Sequence, residues 1–149
     1  MRTVIQRCTN ANIIIDEKEE KNIDQGFVIY LGLTHNDTLE DINYIIKKIV
    51  NLRVFEDENE KMNLSIRDIN GSVMIVSQFT LYANTKKGNR PSFERSMKFE
   101  EAKELYNVFI EEFKKENINF VTGNFGSYMK VSYTNDGPVT IIIDSKEDL

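Results

Sequence analysis

The segment GSVMIVSQFTLYA, residues 71–83, is the most strand-like part of the sequence. Its first half is continuously apolar, which is typical of a strand covered on both faces. Its second half turns polar at Ser77, Gln78 and Thr80. Because side chains alternate along a strand, Ser77 and Phe79 are predicted to face one side of the sheet. Gln78 and Thr80 are predicted to face the other side. A buried strand with a polar end can direct groups into a cleft; alternatively, these side chains only hydrogen-bond the neighbouring backbone.

The segments around this strand predict further strands. Upstream, residues 1–9 and 11–16 are predicted to be two short strands joined near Asn10, and the polar stretch DEKEEKN is predicted to be a connection. The next segment, GFVIYLGLT at 26–34, is apolar on both faces and predicts a central strand. Downstream, INFVTG, YMKVSYTN and PVTIIID predict the last strands as three separate pieces.

Two amphipathic segments predict helices. In residues 37–52, DTLEDINYIIKKIVNL, apolar residues recur at helical spacing, and Asp37 and Glu40 have the spacing of a capping box. Residues 99–116, FEEAKELYNVFIEEFKKE, contain a second apolar stripe that is predicted to be buried: Phe99, Ala102, Leu105, Tyr106, Phe109, Ile110 and Phe113. Many strands and two main helices, without regular alternation, predict an α+β fold with a largely antiparallel sheet or partial β-barrel.

Composition limits the classes of function. The chain has 149 residues, which fits a single domain spanning 1–149, and its net charge of −5 gives no general basic surface for nucleic acid. No apolar run approaches the ~20 residues of a membrane-spanning helix, and the first residues lack signal-peptide features. A cytoplasmic protein without membrane contact is therefore expected. One cysteine and one histidine cannot form a closed zinc site. Sites with oxygen ligands alone stay possible, but the sequence has no EF-hand spacing, and no metal or cofactor is expected.

Few residues are candidates for nucleophilic catalysis. A serine or threonine nucleophile usually needs a base such as histidine, and His35 lies in a polar segment before the first predicted helix. Cys8 alternates with strand residues and is expected to be a small buried apolar group, although an esterase using Cys8 and His35 remains an open alternative. An enzyme with so few candidates is expected to act on an activated substrate, such as an ester, through positioning and backbone hydrogen bonds.

One local segment, NTKKGNR at 84–90, is basic against the acidic average. Its cations, Lys86, Lys87 and Arg90, are candidates for contacts with phosphate groups. The alternative is a solvated surface loop, which is the commoner role of such a run.

The segment NDGPVT at 135–140 consists of turn-forming residues followed by an apolar run. Taken alone, it predicts a hairpin turn before the last strand. Taken together with SQFTL at 77–81, it resembles the D-aminoacyl-tRNA deacylase family in combination, order and distance. The resemblance covers nearly the whole chain and includes VIQR, LGLTHNDT, KMNLSI and KGNRPSF.

The resemblance implies a homodimeric enzyme that hydrolyses the ester between a D-amino acid and the terminal adenosine of tRNA. It implies that Ser77, Gln78, Phe79 and Thr80 line the pocket that holds the amino acid and the adenosine of the acceptor end. The attacking group is expected to be water, with backbone N–H groups of residues 78–80 stabilising the oxyanion and a ribose hydroxyl assisting. The competing mechanism makes Thr80 a nucleophile.

The resemblance also implies a chirality filter. Gly137 and Pro138, joined by a cis bond, would enter the pocket of the opposite subunit and exclude L side chains sterically. Glycine has no side chain to exclude, so glycyl-tRNA is also an expected substrate. Residues implied to support the filter or to lie near it are Arg7, Asn135, Phe125 and Met129. A non-catalytic homodimeric module that binds RNA ends or a small ligand is the alternative from another functional class.

Overall fold

A five-stranded sheet and two helices form the fold. In the computed structural model, which describes residues 1–147, the sheet order is β6-β5-β2-β1-β7, and β3 and β4 form a separate two-stranded sheet. The elements along the chain are β1 (Arg2–Ile15), β2 (Glu19–Gly32), α1 (Leu39–Asn51), β3 (Phe55–Glu56), β4 (Met62–Leu64), β5 (Ser72–Ser77), a 3₁₀ helix (Phe79–Tyr82), α2 (Phe99–Lys114), β6 (Asn119–Thr122) and β7 (Met129–Asp144).

The long strands pair in antiparallel fashion, as the sequence predicts. Strand β1 lies between β2 and β7 and pairs with both along most of its length. The shorter β5 and β6 extend the sheet in parallel on the other edge of β2, which is possible because α1 and α2 provide the crossovers. Since β2 and β5 run in the same direction and Leu31 pairs with Ser77, both strands end at the same edge of the sheet.

Two apolar clusters lie on the sheet. The larger one joins the sheet to the helices and includes Ile45, Ile49, Phe109 and Phe113, none of which is exposed. The smaller one consists of strand residues alone, and five more residues pack against it. Its members are Cys8, Ala11, Ile13, Ile15, Ile23, Val28, Met74 and Val76. Among residues 1–147, neither helix has the length and hydrophobicity needed to cross a bilayer.

Several predicted strand boundaries are wrong. Strand β1 continues through Asn10, whose φ of 51° accompanies a shift in the pairing with β7, so a bulge replaces the predicted break. The polar stretch after β1 is mostly strand, because Asp16 and Glu17 adopt φ of 49° and 58° and close a tight turn before Glu19. The two predicted pieces YMKVSYTN and PVTIIID belong to the single strand β7.

Both predicted helices are confirmed, but their details differ. The N-cap of α1 is Thr38, whose N–H donates to Asp41 at 2.8 Å. The predicted Asp37–Glu40 capping box is therefore wrong, since Asp37 accepts a buried hydrogen bond from the α-ammonium of Met1 at 2.6 Å. Phe99, predicted to be buried, is 56% exposed because it is the first residue of α2 and lies beyond the sheet-facing stripe.

Candidate functional site

Strand β5 ends at Ser77, and the chain then turns into the 3₁₀ helix. We call residues 78–82 the 3₁₀ segment. The N–H groups of Leu81 and Ala83 donate to carbonyls three residues earlier, at 3.3 and 3.0 Å, which is the 3₁₀ pattern. The strand alternation predicted beyond Ser77 is therefore wrong. Gly32 permits this turn, because a Cβ there would lie 3.0 Å from the Cβ of Leu81.

Three hydrogen bonds hold the main chain of the 3₁₀ segment to its surroundings. The N–H of Gln78 donates to the Leu31 carbonyl of β2 at 2.8 Å. The hydroxyl of Ser96 donates to the Phe79 carbonyl at 3.0 Å, and the guanidinium of Arg2 donates to the Leu81 carbonyl at 3.0 Å. The segment is thus fixed to β1, to β2 and to the loop before α2.

Two backbone N–H groups of the segment remain available. Within residues 1–147, the N–H groups of Phe79 and Thr80 donate to no protein acceptor, as expected for the first residues of a helix. Both residues are exposed. The N–H of Gln78, by contrast, is already used in the bond to Leu31. Of the three predicted oxyanion donors, two are free.

The Thr80 hydroxyl accepts a hydrogen bond from the side-chain amide of Gln78 at 2.5 Å. An amide NH₂ group donates and cannot take up a proton. No histidine, carboxylate or lysine of residues 1–147 hydrogen-bonds this hydroxyl. The arrangement therefore does not provide the base that a threonine nucleophile usually needs.

A cavity of about 880 Å³ lies beside the 3₁₀ segment, and its volume is within the range of small-molecule sites. Most of its lining comes from three regions: the end of β5 with the start of the 3₁₀ segment, the loop before α2 with the start of that helix, and the loop between β6 and β7 with the start of β7. Tyr30 and His35 complete it. The ring of Phe125 lies 5.2 Å from that of Phe99 and 5.4 Å from that of Tyr106. The cavity thus offers one aromatic wall and one wall with backbone donors.

The Cys8–His35 alternative has no geometric support. Cys8 is completely buried in the smaller apolar cluster, does not line the cavity, and burial raises the pKa of its thiol to about 11. A thiol that stays protonated at neutral pH is a poor nucleophile. His35 lines the cavity, but its Nε2 atom lies 2.8 Å from the Glu94 carbonyl oxygen.

The NDGPVT segment does not form the hairpin turn that its composition alone predicts. Cys8 pairs with Asn135 and Gln6 with Thr140, so two steps along β1 correspond to five along β7. Between these two pairs β7 has four residues, 136–139, where β1 has only Arg7. Residues 136–139 form a bulge inside a continuous strand, which we call the β7 bulge. Within it, the Gly137–Pro138 peptide bond is cis.

Side chains at the base of the bulge hold it in place. Buried Arg7 donates to the Asp136 carbonyl at 2.9 Å and to the Val54 carbonyl at 2.7 Å. The amide of Asn135 donates to the Gln6 side chain at 2.7 Å and accepts from the Val139 N–H at 3.2 Å. The bulge is therefore fixed from below while its tip stays exposed.

Gly137 has no room for a larger side chain. Its φ is +127°, and a Cβ would lie 2.8 Å from Val139 and 3.0 Å from the Nη2 atom of Arg7. L residues rarely adopt such a backbone conformation. Glycine is thus required here by both conformation and space.

Comparison with known proteins decides the family. A family model described as D-Tyr-tRNA(Tyr) deacylase matches residues 4–144. The chain belongs to this family. A D-aminoacyl-tRNA deacylase of Finegoldia magna is 52% identical over 148 residues, which cover 99% of this chain and 100% of the relative. A second, of Clostridium botulinum, is 53% identical over 147 residues, which cover 99% of each chain.

Solved structures of similar proteins have the same fold. One, named c-Myc DNA Unwinding Element Binding Protein, is 39% identical with a TM-score of 0.89 and covers 97% of this chain and 98% of that one. Another, a probable eukaryotic D-amino acid tRNA deacylase, has a TM-score of 0.80 over 95% of this chain and 97% of that one. At 14% identity, the second likeness shows the fold alone.

The structure brings together only part of the predicted site. Five of the predicted site residues line the cavity: Ser77, Gln78, Phe79, Phe125 and Met129. Thr80 adjoins them through its bond to Gln78, whereas Gly137 and Pro138 lie apart and line no part of the same chain's cavity. Lys86, Lys87 and Arg90 are exposed and also lie outside it.

Sequence reasoning missed three residues of this region. Ser96 and Arg2 bind carbonyls of the 3₁₀ segment, and Phe99 lines the cavity with an exposed ring. A serine in a polar loop and an arginine near the start of a strand give no sequence signal for such contacts. Only the position of Phe99 at the start of α2 could have indicated exposure.

Proposed function

We propose that the protein hydrolyses the ester bond of D-aminoacyl-tRNA and releases free tRNA and the D-amino acid. The observation that carries the proposal is the pair of unpaired N–H groups, at Phe79 and Thr80, beside a cavity of ligand size in a chain of the deacylase family. An ester carbonyl that develops negative charge needs such donors. No metal or cofactor is invoked, and the 1–147 region has no cluster of potential metal ligands.

The proposed reaction uses water as the attacking group. The N–H groups of Phe79 and Thr80 stabilise the oxyanion, and the ribose hydroxyl next to the ester positions or activates the water. The choice of water over Thr80 as the attacking group is supported by the partner of the Thr80 hydroxyl. That partner, the side-chain amide of Gln78, cannot act as a base. A 2′-deoxy terminal adenosine should therefore react at least about tenfold more slowly. Normal reaction of that substrate would refute the role of the ribose.

The proposed chirality filter is the β7 bulge of a second subunit. Main-chain oxygens at Gly137 and Pro138 would exclude an L side chain by volume and admit a D side chain or glycine. Within one chain the bulge does not line the cavity, and its tip is exposed. Strand β7 is also an edge of the sheet as described over residues 1–147. Both observations support a homodimer in which each subunit completes the site of the other.

We further propose that residues 1–149 act as one domain whose sheet curves into a partial barrel. The support is the smaller apolar cluster, which is buried although strands alone form it. A sheet that curves around its own face can bury such a cluster without a helix. The acceptor end of tRNA would approach across the exposed 84–90 segment, where Lys86, Lys87 and Arg90 could contact phosphates.

One assay tests the proposed function. Purified protein is incubated separately with D- and L-aminoacyl-tRNA carrying the same amino acid, with glycyl-tRNA, and with a simple ester. Release from the D form and from glycyl-tRNA, with little release from the L form, is the expected result. Equal release from the D and L forms would refute the filter, and cleavage of the simple ester alone would point to a general esterase.

A second candidate function is binding of nucleic-acid ends without hydrolysis. It is favoured by one observation, the 39% identical structure whose name describes a DNA-binding protein. Retention of charged tRNA on the protein without release of the amino acid would support this function. It would also contradict the proposed deacylation.

A further inference from the structure

Ser96 is a buried polar residue that no sequence motif singles out. Ser96 is 9% exposed, and its hydroxyl donates to the Phe79 carbonyl at 3.0 Å. It also lines the cavity. Any buried hydroxyl needs a hydrogen-bond partner. The partner of Ser96 is of functional interest, because Phe79 lies in the segment that carries the free N–H groups.

The main chain around Ser96 is itself firmly held. Its N–H donates to the Phe93 carbonyl at 3.0 Å, and the next N–H, of Met97, donates to Leu33 at 3.0 Å. Ser96 also forms an isolated antiparallel bridge with Thr34. The hydroxyl is therefore presented from a backbone that is tied to the end of β2.

The bond from Ser96 acts on a particular peptide unit. The carbonyl of Phe79 and the N–H of Thr80 belong to the same planar group, so a bond that fixes the carbonyl also fixes the direction of the N–H. The other two anchors act on different units, through the Gln78 N–H and the Leu81 carbonyl. A rotated 79–80 unit would present an acceptor where the reaction needs a donor.

We propose that Ser96 is a positioning residue that holds the peptide unit between Phe79 and Thr80, so that the Thr80 N–H is directed at the reacting carbonyl oxygen. The inference rests on the proposed deacylase function. A hydrogen bond accepted by the carbonyl also polarises the amide and strengthens its N–H as a donor. Ser96 acts through Thr80 and takes no part in bond making or breaking.

The test compares Ser96→Ala with Ser96→Thr, which keeps the hydroxyl, and with Ser92→Ala as a matched control. The Ser92 side chain makes no hydrogen bond within residues 1–147, although its backbone bridges to Asn84. Because removal of a whole oxyanion donor lowers kcat by about 10²–10³, loosening one should lower kcat for D-aminoacyl-tRNA about tenfold or more. The D/L rate ratio should stay within about twofold, since no hydrogen bond joins Ser96 to the β7 bulge within residues 1–147. The KM should change less than kcat, because the Ser96 hydroxyl that borders the cavity is already bonded to the Phe79 carbonyl.

The backbone nitrogen of Thr80 gives a second readout. Its ¹⁵N chemical shift depends on the hydrogen bond accepted by the preceding carbonyl, so it should move in Ser96→Ala and stay near the wild-type value in Ser96→Thr and Ser92→Ala. A purely structural role would lower the melting temperature and raise KM without a selective loss of kcat. That result, or kcat within twofold of wild type in Ser96→Ala, would overturn the inference.

Should Ser96→Ala fail to fold, Ser96→Thr decides the question. Near-normal kcat with an unchanged Thr80 shift supports the role of the hydroxyl, and a large loss of kcat in this folded variant overturns it. Failure of the proposed function is separate, because it would appear as an inactive wild-type protein. Release by the wild type with unaffected Ser96→Ala would refute the role of Ser96 alone.

Discussion

The 3₁₀ segment and the β7 bulge are both backbone features, but they present opposite groups. The 3₁₀ segment is held through its own main chain and leaves the N–H groups of Phe79 and Thr80 unpaired beside a cavity. The bulge is held by the side chains of Arg7 and Asn135 and exposes its tip, away from that cavity. Donors can stabilise charge, whereas a rigid exposed tip can exclude volume. The comparison predicts that turnover and selectivity respond to different substitutions.

The largest expected effect comes from Gly137→Ala. A Cβ would lie within 3.0 Å of both Val139 and Arg7, at a φ of +127°, and such backbone strain alone costs about 1–3 kcal/mol. We expect the D/L deacylation ratio to fall at least about tenfold. Rates on matched D- and L-aminoacyl-tRNA measure it.

Gly88→Ala is the control for that variant. Gly88 has a φ of +142°, but a Cβ added there would have no neighbouring atom within 4 Å. Gly88→Ala therefore introduces a backbone strain similar to that of Gly137→Ala, but without the close contacts to neighbouring atoms. Its D/L ratio should stay unchanged. An unchanged ratio in a folded Gly137→Ala protein would contradict a selective role for the bulge.

Next in size is Arg7→Met, which removes the support below the bulge. The buried carbonyl of Val54 and the partly buried carbonyl of Asp136 lose their donor, and a buried unsatisfied group costs about 1–3 kcal/mol. We expect a lower free energy of unfolding in urea and a reduced D/L ratio. Arg67→Met, which breaks an exposed ion pair with Glu116, should cost less than about 1 kcal/mol. Equal losses in the two variants would speak against the supporting role of Arg7.

A smaller effect is expected outside both regions, from replacing Lys86, Lys87 and Arg90 together by glutamine. If these cations contact phosphates, KM should rise several-fold, and the slope of log affinity against log salt should flatten by about 0.7–0.9 per lost contact. The selectivity ratio should not change. A matched control is glutamine at three exposed lysines of the second helix region: Lys103, Lys114 and Lys115. Identical salt slopes for both variants would show that the 84–90 segment is merely solvated.

Thr80→Val tests the 3₁₀ segment with a small expected effect. The substitution keeps the backbone N–H and the side-chain shape but removes the hydroxyl that accepts from Gln78. Since water is the proposed attacking group, kcat should fall by less than about tenfold. Abolished turnover in a folded variant would instead favour Thr80 as the nucleophile.

The smallest effect on catalysis is expected at Cys8, which lies in neither region. Burial raises the pKa of its thiol from 9.0 to about 11, so the folded protein holds a proton that the unfolded chain loses above pH 9. The contribution to stability is present below pH 9 and is lost as the pH rises towards 11. The stability difference between wild type and Cys8→Ala should therefore shrink between pH 8 and 11, and alkylating reagents at pH 8 should leave activity unchanged. Inactivation by alkylation would instead support the alternative of an esterase that uses Cys8 and His35.

Much of the fold could be predicted because its signals are local. The apolar stripes of α1 and α2 and the continuous apolar run of β5 follow from side-chain spacing alone. The 3₁₀ segment could not be predicted, because its turn depends on a bond from Gln78 to Leu31 and on the missing Cβ of Gly32. Leu31 and Gly32 both lie far from residues 78–82 in the sequence.

The β7 bulge shows the same limit more clearly. Asn135, Asp136, Gly137 and Pro138 favour a turn by composition, yet pairing with β1 on both sides keeps the chain in one strand. Which carbonyl Arg7 would bind could not be read from the sequence. The family motifs named the residues of the site and implied that Gly137 and Pro138 serve the opposite subunit, which agrees with their absence from the lining of their own chain's cavity. That these two residues form a bulge inside one strand could not be predicted from the motifs.

The order of the strands has a consequence for synthesis. Arg7 lies in the first strand and the bulge in the last, and Arg2 bridges the Leu81 carbonyl and Asp144. On the ribosome, the nascent chain therefore exposes the proposed backbone donors long before the residues that would restrict them emerge. If the β7 bulge is the filter, selection between enantiomers is completed only after the last strand has been made and a second subunit has bound.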